Sequence, residues 1–382
     1  MNYLASKMPS SSQIDLELEP LMDKRKLLYT PYPKSTDNPY LQANVSLLEE
    51  LGFEVIAEPS SWSDRAKFML SHLIKRDIDT VVVNWHENLF RHRNGRVNWL
   101  GIPVYLISLL LFRAMSRRLI YVRHNLYPHS FTKSWKRKLA RALVYIGQQI
   151  ANVKATHSGH LENCGFKYLP HTLYKTFPKA HLDQIKLHEA LPDCYYTMFG
   201  FIERYKRVEE IIERWNGSDT LLIAGNCKDQ VYLAELHRLA EGKSVQFITR
   251  FIEEDEAQRI VGGAQGLIIA HADEDMIVSG SFFFGLSVGT PLFAIRTPFL
   301  DWFSQSNSSS YLNLFESTQE LVACITLESN SSTYMEPMGK PLEQIRKHFS
   351  NENVKEAWSS LIRISSNDEI NNKTKEQLHD AA

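Results

Sequence analysis

"MFGFIERYKRVEEIIERW", residues 198–215, runs an apolar strand into Gly200, then a basic cluster, then an amphipathic helix. Arg204, Lys206 and Arg207 crowd the entrance of that helix, where the positive end of the macrodipole disfavours cations. An anion bound there would remove the conflict, because backbone N–H groups and cations would share its charge. The plain alternative is a strand–helix turn whose basic residues face solvent.

The same strand–turn–helix unit recurs on both sides of this stretch. After it come apolar strands at 220–225, 244–250, 266–272 and 290–295, with helical patterns at 207–215, 228–241 and 253–262 between them. Before it, strands at 26–33, 53–59, 79–85, 117–125 and 152–158 alternate with helices at 38–52, 62–76, 99–116 and 133–149. Near-continuous apolar strands such as "DTVVVNW" (79–85) indicate parallel sheets covered on both faces. The fold class is therefore α/β, with two doubly wound, Rossmann-like domains.

The proline-broken segment 169–193 divides the halves. The expected boundaries are a flexible leader at 1–24, a first domain at 25–172, a linker at 173–193 and a second domain at 194–340. A helix at 341–366, carrying Trp358, is expected to pack back across the junction, with a polar tail at 367–382.

Ligands of such sheets bind beyond the C-terminal strand ends. Pro31–Asn38, Trp85-His86-Glu87 and His124-Asn125 lie at those ends. His86, Glu87, Asp37 and His124 are thus candidates for moving a proton, against the alternative of capping or buried structural roles. His129 and His171, each after a proline, read as turn residues. In the second half, Ser279-Gly280-Ser281 opens an apolar helix, and small residues there let an anion approach closely. Serine serving only as a helix cap is the alternative.

Composition narrows the class. The 382 residues carry four cysteines in no metal or redox spacing, and a reducing cytosol is the expectation. The N-terminus lacks the basic start and apolar run of a signal peptide. The apolar stretch near 100–112 is too short to span a bilayer. A net charge of −1 hides an asymmetry: residues 88–161 contain thirteen Lys and Arg and no Asp or Glu. Such a block seeks a polyanion. Without a zinc finger, RNP signature or helix-turn-helix, nucleic acid is not expected, and an anionic membrane surface is. Lys133, Lys136, Arg137, Lys138 and Arg141, on one helix, are the expected membrane-facing residues.

The order "FGFIERYKRVEEII", "LLIAG", "VQFITRFIEEDEAQRIV", "GLIIAH" and "SGSFFFGLSVGTPLF" resembles the nucleotide-sugar half of GT-B glycosyltransferases of the family-4 type. "VVNWHENLF", "IYVRHNLYPH" and "YLPHTLY" are similar to motifs of bacterial exopolysaccharide enzymes of that superfamily. The resemblance spans about 26–300.

That resemblance implies a fold of two domains facing across a cleft, and a hexosyltransferase activity. The donor would be a UDP- or GDP-sugar, the acceptor a saccharide, often polyprenyl-diphosphate-linked, and no metal or other cofactor is expected. It places Gly200 and Lys206 at the donor diphosphate, with Arg204 replacing an arginine whose usual position is Phe201. Ser279, Gly280 and Ser281 become the phosphate turn, Arg250 and Phe251 the nucleobase loop, and His124 a residue facing the reacting sugar. A departure accompanies this. The family's two glutamates, with seven residues between them, fall on Met276 and Phe284, with Glu274 and Asp275 out of register. A non-catalytic nucleotide-sugar-binding relative and a nucleotide-sugar 2-epimerase are the alternative readings.

Overall fold

A computed structural model describes residues 24–31, 38–92, 94–128, 131, 133–271, 277–307, 311–328 and 342–363. Asp37, His129, Glu274, Asp275, Met276, residues 1–23 of the expected leader and the tail from 364 lie outside the described residues.

The first half holds six parallel strands: β1 (Arg25–Thr30), β2 (Phe53–Ile56), β3 (Ile78–Asn84), β4 (Ser116–Arg123), β5 (Val153–Thr156) and β6 (Lys167–Tyr168). Their order is β2-β1-β3-β4-β5-β6. Alternation along each strand feeds two cores. Leu27, Tyr29, Val82, Ile120 and Val122 face one layer of helices, while Leu28, Val81, Val83, Leu119 and Tyr121 face the other. That is why these strands read as continuous apolar runs.

The second half repeats the plan with β7 (Tyr195–Phe199), β8 (Thr220–Ala224), β9 (Val245–Ile248), β10 (Gly266–Ile269), β11 (Leu292–Ile295) and β12 (Leu312–Phe315). Its order is β12-β11-β10-β7-β8-β9, again all parallel. The strand order reverses between β7 and β10, and such a reversal opens a crevice beyond the strand ends.

Several elements escape the sequence pattern. β6 has two residues, too few for any periodicity. Helix Pro298–Ser306, capped by Thr297, and helix Thr318–Glu328 complete the second domain. The C-terminal segment is two helices rather than one, Leu342–His348 and 351–363, broken at 349–350.

Ile345 and Phe349 join the core of the second domain. Val354, Trp358, Leu361 and Ile362 join the core of the first, where Trp358 is fully buried and donates from Nε1 to Asn44 Oδ1 at 2.8 Å. Arg346 donates to the carbonyls of Leu286 and Ser287, at the last turn of helix Gly280–Val288. A cation there complements the negative end of the helix. The helix that begins at Gly280 is thereby held at its far end.

Candidate active site

The crevice between β7 and β10 opens into a cavity of about 690 Å³ lined from both domains. Gly200 follows β7 with φ +99, and Gly225 follows β8 with φ +146. A Cβ on Gly225 would stand 2.1 Å from the Gly200 carbonyl oxygen, so the two backbones approach more closely than any side chain permits. A Cβ on Gly200 would come within 2.9 Å of Lys206 Nζ and 3.6 Å of Ser281 Oγ.

These three residues converge. Lys206 Nζ donates to the Phe199 carbonyl at 3.0 Å, and Ser281 Oγ donates to the same oxygen at 3.1 Å. One of three ammonium N–H groups is used, leaving two for a ligand. Desolvation between the domains lowers the Lys206 pKa from its ordinary value to about 8. An anion in the cavity would relieve that desolvation.

Helix Gly280–Val288 begins at the same point. Ser279 is its cap, accepting from the Phe282 N–H at 3.3 Å, so the capping role anticipated as the plain alternative is present. The N–H groups of Gly280 and Ser281, in the first turn, have no acceptor within the helix. Both residues line the cavity, as does Gly200. The Ser281 hydroxyl, spent on Phe199, positions rather than donates.

The helix entrance that opened the sequence reading resolves differently from expectation. Residues Arg204–Lys206 form a 3₁₀ turn, Arg207 takes a left-handed φ of 54, and the following helix is only Val208–Arg214. Glu209 and Glu210 in its first turn already compensate the macrodipole. Arg204 lines the cavity but donates to Glu235 at 2.9 Å and lies over the Tyr232 ring at 4.3 Å. Of the basic cluster, Lys206 alone has its ammonium beside Gly200.

Arg250 and Phe251 do not line the cavity. Arg250 is held by two carboxylates, Glu189 of the linker and Glu256, each at 2.6 Å, while Phe251 is 61% exposed. Phe284, at the position of one family glutamate, is buried, stacked on Phe199 at 4.9 Å and edge-on to Tyr174 at 5.3 Å. Two residues the sequence reading passed over line the cavity: Lys228, whose Nζ lies 5.4 Å over Phe201, and His271, two residues after β10, whose Nε2 is 3.2 Å from Ser279 Oγ. His271 was findable, being a polar residue at a strand end beside the order reversal.

Across the cavity His124 follows β4, buried and stacked on Trp85 at 4.0 Å. Asn84 donates from Nδ2 to the Thr30 carbonyl, which leaves its Oδ1 as an acceptor for His124 Nε2 at 2.9 Å. The imidazole therefore carries its proton on Nε2 and keeps a lone pair on Nδ1. Burial, with His157 and His171 nearby, holds its pKa well below the ordinary value, so it is neutral.

Glu87 does not line the cavity. It is buried behind Asn125, which donates to its Oε1 at 3.4 Å and does line the cavity. Burial raises the Glu87 pKa to about 7. His86 packs against Tyr105 and Phe112 and pairs with Ser108 Oγ at 2.8 Å, its pKa lowered to about 4 by burial. Away from the cavity and neutral, His86 has the buried structural role weighed against proton transfer.

The basic helix, Ser134–Ile150, divides its cations. Lys136 donates to the Gly95 carbonyl and Arg137 to that of Phe131, while Arg137 and Arg141 lie over the Tyr127 ring. Lys133, Lys138 and Arg141 are exposed, beside exposed Trp135, Tyr145 and Ile146. No helix among the described residues is long and apolar enough to cross a membrane. Among the described residues no group of three or more His, Cys, Asp and Glu could hold a metal ion.

No protein-family model matches the chain, and no curated protein matches it by sequence. Solved structures do match. HepE from Anabaena, in complex with UDP and glucose, aligns with a TM-score of 0.55 at 13% identity, over 89% of this chain and 99% of that one. The same protein in complex with UDP-glucose gives 0.51 at 14% identity, over 94% and 100%. AviGT4, a glycosyltransferase involved in avilamycin A biosynthesis, gives 0.52 at 14% identity, over 89% and 97%. Likeness at such identity speaks for the fold, and the fold is GT-B: two Rossmann-like domains with a cleft between them.

Proposed function

We propose that this chain is a glycosyltransferase that moves a hexose from a UDP- or GDP-sugar to a saccharide acceptor, one linked to polyprenyl diphosphate, in cell-surface polysaccharide assembly. One observation carries the reading: the Lys206 ammonium and the open N–H groups of helix Gly280–Val288 meet at the order reversal of the second sheet. Cations and helix N–H groups held in place before the reaction stabilise a departing diphosphate without reorganisation. HepE, of the same fold, has been solved with UDP-glucose, which favours UDP over GDP.

The acceptor enters from the first domain. His124 offers the lone pair of Nδ1 to an acceptor hydroxyl and orients it. An imidazole with so low a pKa is a weak base, and Glu87, near 7, is better matched to proton removal. Asn125 stands between Glu87 and the cavity, so Glu87 serves only after that side chain turns aside. The reading assigns the leaving-group charge to Lys206, with Lys228 as a second cation, and names no metal. Lys133, Lys138 and Arg141 dock the enzyme at the anionic cytoplasmic face of the membrane as a peripheral protein.

Titration calorimetry with UDP and GDP, followed by nucleotide release from the sugar donor with lipid acceptor present and absent, tests the proposal. At a hundred times its dissociation constant a true donor raises stability by about 2.7 kcal/mol. Failure of both nucleotides to bind at millimolar levels refutes it. The apolar packing of Phe284 favours one second reading, a relative that binds nucleotide-sugar without catalysis. Acceptor-independent binding with no release would establish that instead.

A further inference from the structure

The first sheet has its own order reversal, between β1 and β3. Helix Pro39–Glu50 covers one face, and helices Trp62–Lys75 and Gly101–Met115 cover the other. A crevice beyond the ends of β1 and β3 is therefore a second ligand position by the same rule. It holds a groove of about 660 Å³, with Thr30 and Asn84 at its base. Its walls are Met69, Leu70 and Leu73 from one helix and Val104, Ile107 and Leu111 from the other.

The chemistry of the walls identifies an occupant. Helix Trp62–Lys75 buries none of its residues fully, although its sequence is amphipathic. Leu70 is 60% and Ile107 55% exposed, apolar surface that folding has left in water. Polar groups at the base of the groove already have partners. Thr30 donates to Glu58, Asn84 to the Thr30 carbonyl, and His86 pairs with Ser108. A peptide laid there would find few partners for its N–H and C=O groups, whereas a hydrocarbon needs none.

The groove also meets the cleft. Trp85 and Asn88 line both spaces, and Trp85 holds a left-handed φ of 47, which is costly for a bulky side chain. On the cleft side of this wall stand Arg91, Asn125 and His124, in a stretch without carboxylates.

We infer that this groove holds the aliphatic chain of the acceptor, whose anionic head passes Trp85 and Asn88 into the cleft. The inference rests on the transferase reading for the identity of the head, and adds where the tail lies.

Photolabelling of the full chain with a diazirine-bearing farnesyl diphosphate, mapped by mass spectrometry, tests it. Adducts should fall on 62–75 and 101–115. Excess farnesyl diphosphate or farnesol should suppress them, and inorganic pyrophosphate should not. Ala66→Trp and Val104→Trp, which fill the groove from its walls, should lower labelling at least tenfold and leave UDP affinity within twofold. Adducts confined to 133–149, the mark of a general membrane surface, overturn the inference. So do adducts on residues 1–23, or groove labelling that pyrophosphate suppresses and farnesol does not. Should a tryptophan variant fail to fold, the competition arms decide alone. UDP titration of the same samples separates the two claims. UDP bound with no groove adduct overturns this inference alone, and groove adducts without UDP binding overturn the donor reading alone.

Discussion

Lys206 Nζ and Ser281 Oγ, 75 positions apart in sequence, donate to one carbonyl oxygen, that of Phe199. The bond from Ser281 ties the start of helix Gly280–Val288 to the end of β7, and the bond from Lys206 sets the ammonium beside it. Neither contact is a cap or a sheet bond. Both place charge and N–H groups at one point of the cleft.

Replacement of Lys206 by alanine should weaken UDP binding about 10- to 100-fold, the range expected for losing charged hydrogen bonds. Calorimetry measures it, and the thermal midpoint of the unliganded protein should hardly fall. An unchanged dissociation constant would remove Lys206 from the donor site.

The Lys206 pKa, lowered to about 8, gives UDP binding a pH dependence. A bound diphosphate raises that pKa, so binding takes up a proton at pH values between the free and the bound pKa. Affinity is therefore flat below about pH 8 and falls above it, by up to about tenfold per pH unit. A titration from about pH 7 to about pH 10 should show the fall in the native protein and a nearly flat line in Lys206→Met.

Glu87 carries the opposite kind of strain. Its folded pKa is raised from 4.5 to about 7, so the native state binds more protons than the unfolded chain between those values. Stability contributed by this group is fully present below about 4.5 and is lost as pH rises toward 7. Glu87→Gln should accordingly unfold at higher denaturant than the native protein at about pH 8, by on the order of 3 kcal/mol. At about pH 4 the difference should shrink to within about 0.5 kcal/mol. Taking the difference cancels the opposing contributions of His86 and His157, whose pKa values burial lowers to about 4.

On the basic helix, Lys133 and Lys138 are exposed, whereas Lys136 is committed to Gly95. Flotation with anionic vesicles at low salt should weaken by about 1 kcal/mol for each of Lys133→Ala and Lys138→Ala. High salt should abolish the difference. A native protein that ignores such vesicles would end the peripheral-membrane proposal.

Much of this architecture was legible because parallel strands buried on both faces announce themselves as apolar runs, as in Ile78–Asn84. Gly200, Lys206 and Ser281 were legible for a related reason: they follow strands or open helices at the edge where such sheets bind ligands. What escaped depends on partners distant in sequence. The resemblance puts Arg250 in a nucleobase loop, yet Glu189, 61 positions away, closes on it. Arg204 reads as a phosphate ligand until Glu235 and Tyr232 take it. The open face of helix Trp62–Lys75 was invisible for the converse reason, since an amphipathic pattern promises full burial that none of its residues reaches.

Among the described residues the polypeptide passes between its two lobes twice, once at 172–176 and again at 349–351, and both passages border the same space. Two adjacent passages act like the knuckles of a single pin. Any rotation that widened the mouth of the cleft would run about the line through them, because both strings of backbone resist sliding and twisting. His171, stacked on Phe283 at 4.2 Å, and Phe349, edge-on to the same ring at 5.2 Å, seat that pin against helix Gly280–Val288. Such a rotation would therefore pivot on helix Gly280–Val288, whose first turn lines the cavity.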